Sequence, residues 1–254
     1  HHGHHDPRRR RARALGFVMR SFVGIVALSF ASVACAQSTY PAKPVRIIVP
    51  SSPSSGPDII ARLTGNVLTE AWGQQVVADN RAGAAGNIGG ELAARAIPDG
   101  YTLFAATSTL FATFPALKAK LSYDADRDFA PLSQVVDVWF VQMIHPSLPA
   151  KTPRELIALA KAKPGELNYY SSGAGGAPHL AAEMFNAMAG VKTTHVPYKG
   201  SSPGMTDLMA GQVQIGYDSV VQSLPFIKSG KLRALSVMGA RRTPLLPDTP
   251  LMKD

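Results

Sequence analysis

The sequence predicts an α/β fold made of two βα modules in series, and three observations carry that prediction. Short apolar runs alternate with amphipathic stretches from Tyr40 onward. Gly and Pro, 22 and 20 of them in 254 residues, punctuate the changes of period. The strands come singly between helices rather than as hairpin pairs, which calls for parallel pairing through crossovers.

"VRIIV" (Val45–Val49) reads as a buried strand and "PDIIARLTGNVLTEAW" as a helix with Pro57 in its first turn. "QQVVAD" (Gln74–Asp79) is the next strand. "NRAGAAGNIGGELAARAI" is a glycine-rich turn running into a helix, in which Gly86 and Asn87 shape the first module. "PDG" turns the chain into the strand "YTLFAAT" (Tyr101–Thr107). After a polar stretch, "VWFVQMI" (Val138–Ile144) opens the second module. "TPRELIALAKAKPG" carries a full set of helix signals: Thr152 as cap, Pro153 first, Glu155 to complete a capping box and Pro164-Gly165 to stop it. Strands "LNYYSS", "KTTHVPY", "VQIGYD" and "LRALSVM" then alternate with helices "HLAAEMFNAMAG" and "SSPGMTDLMAG". The expected organisation is an upstream tract with a signal peptide over 1–36, a first lobe over 37–137, a second over 138–232, and a return to the first over 233–254.

The N-terminal expectation rests on "MRSFVGIVALSFASVACAQ". Arg20, the apolar run Phe22–Phe30 and the small residues Ala34-Cys35-Ala36 make a secretory signal with cleavage after Ala36, which exports the mature protein. Cys35 is the single cysteine, so the remainder has no disulfide and no cysteine metal site. Residues 1–36 hold six Arg and one Asp. Removing these from the 26 basic and 17 acidic residues leaves 20 and 16, a net charge of +4 instead of +9. No basic stripe with interleaved aromatics remains, which excludes nucleic acid as the expected partner.

Most catalytic patterns are missing: there is no P-loop, H-E-x-x-H or cysteine nucleophile. Ser171 and Ser172 lie near His179, but no orienting third group is visible, so a serine hydrolase is a distant alternative. No catalytic residue, metal or cofactor is expected. Anion binding fits better. In "VPSSPSSGPD" and "YSSGAGGAPHLAAE" a strand ends in hydroxyls and glycine and a helix follows. Free N–H groups and the dipole at a helix N-terminus attract a carboxylate without any arginine.

The ordered matches "YPAKPVRIIVP", "NRAGAAGNIG", "PDGYTL", "SSGAGGAPHLAAE", "HVPYKG", "DLMAGQVQIGYD", "IKSGKLRALSV" and "LPDTP" resemble the solute-binding receptors of the tripartite tricarboxylate transporter family, the Bug or TctC-like proteins. The resemblance covers almost all of Tyr40–Pro250. It implies a type II periplasmic-binding-protein fold, two α/β lobes joined by crossing strands and closing on a small ligand. It implies a non-enzymatic monomer that captures a di- or tricarboxylate, an acidic amino acid or an aromatic acid through backbone amides and ordered water. Integral membrane transporter subunits would be its partners; a sensor receptor serving a signalling protein is the alternative. Three departures stand out. Ser54 and Ser55 replace the two glycines of the family's first loop, and Ser51 its aromatic. Gly176 stands where a hydroxyl is common. The family continues well past "LPDTP", implying a chain shortened at its C-terminus.

The expected first-lobe contacts are Ser51, Ser52, Ser54, Ser55 and Gly56, with Asp58 organising their loop by accepting backbone N–H bonds. The expected second-lobe contacts are Ser172, Gly173, Gly175 and Gly176. His179 and Tyr198 are candidates to face the cleft, and Asp218 to bind a ligand donor or brace the opposite lobe.

Overall fold

A computed structural model describes residues 40–117 and 120–253. The expected signal peptide lies outside the described residues. The described residues from Lys43 onward form one unit, whose architecture is two α/β lobes.

The first lobe holds a parallel sheet of order β2-β1-β3, with β1 Val45–Val49, β2 Val76–Asn80 and β3 Thr102–Phe104. The central strand carries the core: Ile48 and Val49 are fully buried. Helix α1 (Gly56–Trp72) lays Ala61 on Ile47 and Val49, and Gly73 ends it in the left-handed region at φ 64°. Helix α2 (Asn87–Ala94) approaches closely because Gly89 and Gly90 lack side chains; a Cβ on Gly90 would sit 2.7 Å from the Tyr123 hydroxyl oxygen. The stretch read as merely polar, around "LSYDADRDF", contributes Tyr123 and Phe129 to an aromatic cluster with Phe104 and Phe111. A π-helical turn, Thr109–Thr113, leads into the short α3 (Phe114–Ala116), both unforeseen from the sequence.

The second sheet runs β6-β5-β7-β4-β8: β4 Phe140–Ile144, β5 Asn168–Ser171, β6 Thr194–Pro197, β7 Ile215–Ser219 and β8 Arg233–Met238. β5 is parallel to β6 and β7, whereas β4 is antiparallel to β7 and β8. Helices α4 (Pro153–Ala162) and α5 (Ala177–Ala189) cover one face, burying Leu156, Ala182 and Phe185 against Tyr169, Ile215 and Tyr217. Helices α6 (Ser201–Met209) and α7 (Val220–Lys228) cover the other, with Met205, Leu208 and Val220 against Val141, Met143 and Tyr170. Burial on both faces explains the unbroken apolar runs of these strands. Thr152 caps α4 as expected, its Oγ1 accepting from Glu155 N at 3.2 Å; the Glu155 carboxylate reaches Lys151 N instead of the cap's own N–H.

The expected return to the first lobe after residue 232 does not occur in the described chain. β8 pairs along β4, and Leu251 bridges Val237 on the same sheet. The register skips from Ser236 to Ala234, so Leu235 bulges to the face of Ile144 and Tyr217 while Val237 stays with Val141 and Met143. An apolar strand sequence states its period, not the sheet it joins.

Candidate functional site

The loop after β1 is tied together by its own polar groups. Ser55 is fully buried and its hydroxyl donates to Ser52 O at 2.6 Å, so the 2.6 Å bond between Ser51 and Ser55 hydroxyls is donated by Ser51. Asp58, 2% exposed, accepts Ser54 N at 2.8 Å, Arg62 Nε at 3.0 Å and Asn80 Nδ2 at 2.9 Å. Burial pushes its carboxyl up, but these donors outweigh burial and hold it below the ordinary carboxylate value. Asn80 also donates to Ser51 O, binding the end of β2 to the loop. Ser54 sits at φ 62°, a left-handed conformation that a glycine takes without penalty.

The loop after β5 depends on glycine geometry. Gly173 has φ 133° and Gly175 φ 79°, and Gly176 N returns to Gly173 O at 3.2 Å before α5 begins. Ser172 is partly buried beside Gly176. His179 does not touch the serines: its Nδ1 accepts from Gly175 N at 3.2 Å, bracing the loop from the first turn of α5. At this loop Ser171 pairs instead with His195, Oγ to Nε2 at 2.6 Å. Burial lowers the His195 pKa, with His179 adding to the effect and Glu183 opposing it. Both imidazoles stack near Tyr169.

Each loop meets the opposite lobe, the β5 loop at the segment after β2 and the β1 loop at Ser202 and Gln222. A Cβ on Gly173 would lie 2.9 Å from Ala85 N, in the first-lobe segment where Ala84 and Ala85 take φ 47° and 51°. At this seam three helix N-termini are capped from the opposite lobe. Gly56 N, the first of α1, donates to Gln222 Oε1 at 3.1 Å. Ala177 N, the first of α5, donates to Thr109 Oγ1 at 3.3 Å. Ser202 N, in the first turn of α6, donates to Ser52 Oγ at 3.3 Å. None of the three helices has a side-chain cap from its own N-cap residue.

Tyr198 and Asp218 are held in the second lobe. The Tyr198 hydroxyl donates to Asp207 at 2.6 Å, and burial with that carboxylate pushes its pKa up to about 12. Asp218, 3% exposed, accepts the Tyr170 hydroxyl at 2.9 Å and Ser219 N at 2.7 Å, with a further bond to Ser201. Burial raises its pKa to about 6 against the pull of these donors. Asp218 flanks the seam, since its partners Ser201 and Ser219 adjoin or meet first-lobe contacts at Ser52 and Gly56.

Sequence reasoning missed Thr109, Ser202, Ser219 and Gln222. The available signal was a polar residue inside an apolar run, as in "STLFATF" and "SVVQSLPF". Among the described residues no group of three His, Cys, Asp or Glu side chains is placed to hold a metal, and no helix is long and apolar enough to cross a membrane.

Residues 60–254 match the model of the family described as the tripartite tricarboxylate transporter family receptor, TctC. The chain is 37% identical over 217 residues to protein BugT of Bordetella pertussis, covering 85% of this chain and 67% of that protein. A Rhodopseudomonas palustris protein, Rpa4515, solved with adipate, is 36% identical with a TM-score of 0.80, over 84% of this chain and 71% of that one. MatC from Rhodopseudomonas palustris with bound malate is 28% identical with a TM-score of 0.79, over 84% and 73%. The chain spans about two thirds of the length of the curated relatives it matches. It belongs to the TctC family of tripartite tricarboxylate transporter receptors, which are periplasmic solute-binding proteins and not enzymes.

Proposed function

We propose that this receptor captures a small organic carboxylate between its lobes and presents it to the integral membrane subunits of a tripartite tricarboxylate transporter. The protein acts as a monomer in the periplasm, released from its signal peptide after Ala36. The observation that carries the reading is the convergence at one seam of helix N-termini from both lobes. α1 comes from the first lobe, α5 and α6 from the second, and each offers backbone N–H groups. No lysine or arginine caps them there; donors are N–H and hydroxyl groups, which suit a carboxylate held by backbone and water.

In this reading Ser51, Ser52, Ser54, Ser55 and Gly56 form the first-lobe wall and Ser172, Gly173, Gly175 and Gly176 the second. Asp58 and His179 brace those loops. Tyr198, committed to Asp207, packs the second lobe, and Asp218 supports the seam from behind. The malate and adipate bound by the solved relatives define the ligands to try first.

The test is thermal shift and calorimetry with malate, adipate and dimethyl malate. A carboxylate receptor is stabilised by one or both acids, by about 2.7 kcal/mol at a hundredfold excess over Kd, and ignores the ester. Equal response to acid and ester, or no response to any small acid, overturns the reading.

A further inference from the structure

Ser219 is the N-cap residue of α7, yet its hydroxyl makes no capping bond. The residue is 4% exposed and its Oγ has no hydrogen-bond partner. It is aimed at the start of α1: a Cβ on Gly56 would lie 2.5 Å from it. A buried hydroxyl without an acceptor is costly, and its persistence asks for a partner missing from the ligand-free state. One turn along, Gln222 is 5% exposed, and its Oε1 accepts the first N–H of α1 at 3.1 Å. Here the positive ends of α1 and α7 meet. Asp58 lies in the first turn of α1 and Asp218 accepts the N–H of the α7 N-cap residue, but neither carboxylate bonds the Ser219 hydroxyl or the Gly56 N–H. Asp58 faces Ser54, Arg62 and Asn80, and Asp218 faces Tyr170, Ser201 and the Ser219 N–H.

We propose that Gln222 is a built-in surrogate for the ligand's carboxylate and that Ser219 is the hydroxyl that carboxylate satisfies, so this pair on α7 sets the receptor's preference for an acceptor-only group. This rests on the carboxylate reading above. A carboxamide oxygen is a neutral stand-in for a carboxylate oxygen. An arriving carboxylate takes the Gly56 N–H in a stronger, charge-assisted bond and gives the Ser219 hydroxyl its acceptor. The Gln222 side chain then swings away. A ligand presenting an ammonium group here would meet a donor, a donor and two positive helix ends. Selectivity comes from α7, an element that none of the glycine loops contains.

The pair makes predictions of distinct sign. Ser219→Ala removes the unsatisfied hydroxyl, so the ligand-free protein melts higher, while affinity for the tightest-binding acid among malate and adipate falls by about 10-fold or more, the loss of a bond to a charged group. Gln222→Glu tethers a true carboxylate at Gly56: the ligand-free protein melts higher and the acid no longer competes. Gln222→Leu removes the surrogate, so affinity for the acid rises; it carries the test if the glutamate variant does not fold. Calorimetry and melting of all three decide it. Unchanged acid affinity in Ser219→Ala, or weaker or unchanged affinity in Gln222→Leu, overturns the inference while leaving a working receptor. A wild-type protein that binds neither acid overturns the carboxylate reading and this inference with it.

Discussion

Ser52 and Ser202 lie on opposite lobes, yet their hydroxyls are hydrogen-bonded at 3.2 Å, and Ser202 Oγ also lies 2.7 Å from Pro53 O. The approach is possible because Gly200 has no side chain; a Cβ there would lie 2.5 Å from Ser52 Oγ. Together with the bonds from Gly56 to Gln222 and from Ala177 to Thr109, this contact joins the two lobes directly.

Ser202→Ala removes both hydroxyl bonds of this latch and keeps the N–H bond to Ser52. Each neutral bond contributes about 1 kcal/mol, so the ligand-free population shifts toward separated lobes. Small-angle scattering should show a larger radius of gyration for the variant, reverting to the wild-type value on adding a bound acid. Identical scattering without ligand would sink the latch.

Ser54 holds φ 62° so that its N–H can reach Asp58. The left-handed region costs a non-glycine residue about 1–2 kcal/mol, and glycine returns part of that gain through unfolded-chain entropy. Ser54→Gly is expected to stabilise the protein by about 0.5–1 kcal/mol, and Ser54→Val to destabilise it by more than 1. Urea midpoints measure both; a destabilised glycine variant would mean that the Ser54 side chain supports the loop.

Asp218 titrates at about 6 when folded, against an ordinary value of 3.8. Between those values the folded protein binds the proton more readily than the unfolded chain, so its contribution to stability falls as pH rises from about 4 to 6 and is level above. The shift corresponds to about 3 kcal/mol. Asp58, held below 3.8, acts with the opposite sign and at lower pH. The stability difference between wild type and Asp218→Asn, followed by urea denaturation at several pH values, should change across that window alone. A constant difference rules out Asp218 as the titrating group.

Gly173 combines φ 133° with an approach to the Ala85 backbone. Gly173→Ala places a methyl group where the lobes touch, so the lobes cannot seat and affinity for the acid falls by 10-fold or more, about 1.4 kcal/mol. The melting temperature drops as well, from backbone strain. Calorimetry that shows wild-type affinity would remove this contact from the closed form.

Most of the scaffold is legible in the sequence because its signals are local. "VRIIV" and "LNYYSS" announce strands by apolar runs, and Thr152-Pro153 with Glu155 announces the start of α4. Helix α7 is hidden because "VVQSLPFIK" is apolar almost throughout and carries Pro225 inside the helix. β8 is recognisable as a strand, but its partner is chosen by side chains on β4, far away in sequence. The site divides in the same way. Glycine loops and helix starts at Gly56 and Gly176 have a visible spacing. Thr109, Ser202 and Gln222 acquire meaning only when the second lobe comes to rest on the first, and Tyr198 loses its apparent availability to Asp207, nine positions on.

Consecutive tyrosines on β5 point to opposite faces of the sheet, and each is anchored by a carboxylate: Tyr169 to Glu183 on α5, Tyr170 to Asp218 on β7. Both rings are fully buried, so the strand that delivers the Ser171–Gly176 loop is pinned above and below. Its amide protons should exchange with solvent only when the whole lobe unfolds. The Ser51–Ser55 loop is secured by hydroxyls, the Asp58 carboxylate and the Asn80 amide, and should exchange through local excursions far more often. The two binding loops thus differ mechanically: one hangs from a strand clamped on both faces, the other from its own polar side chains.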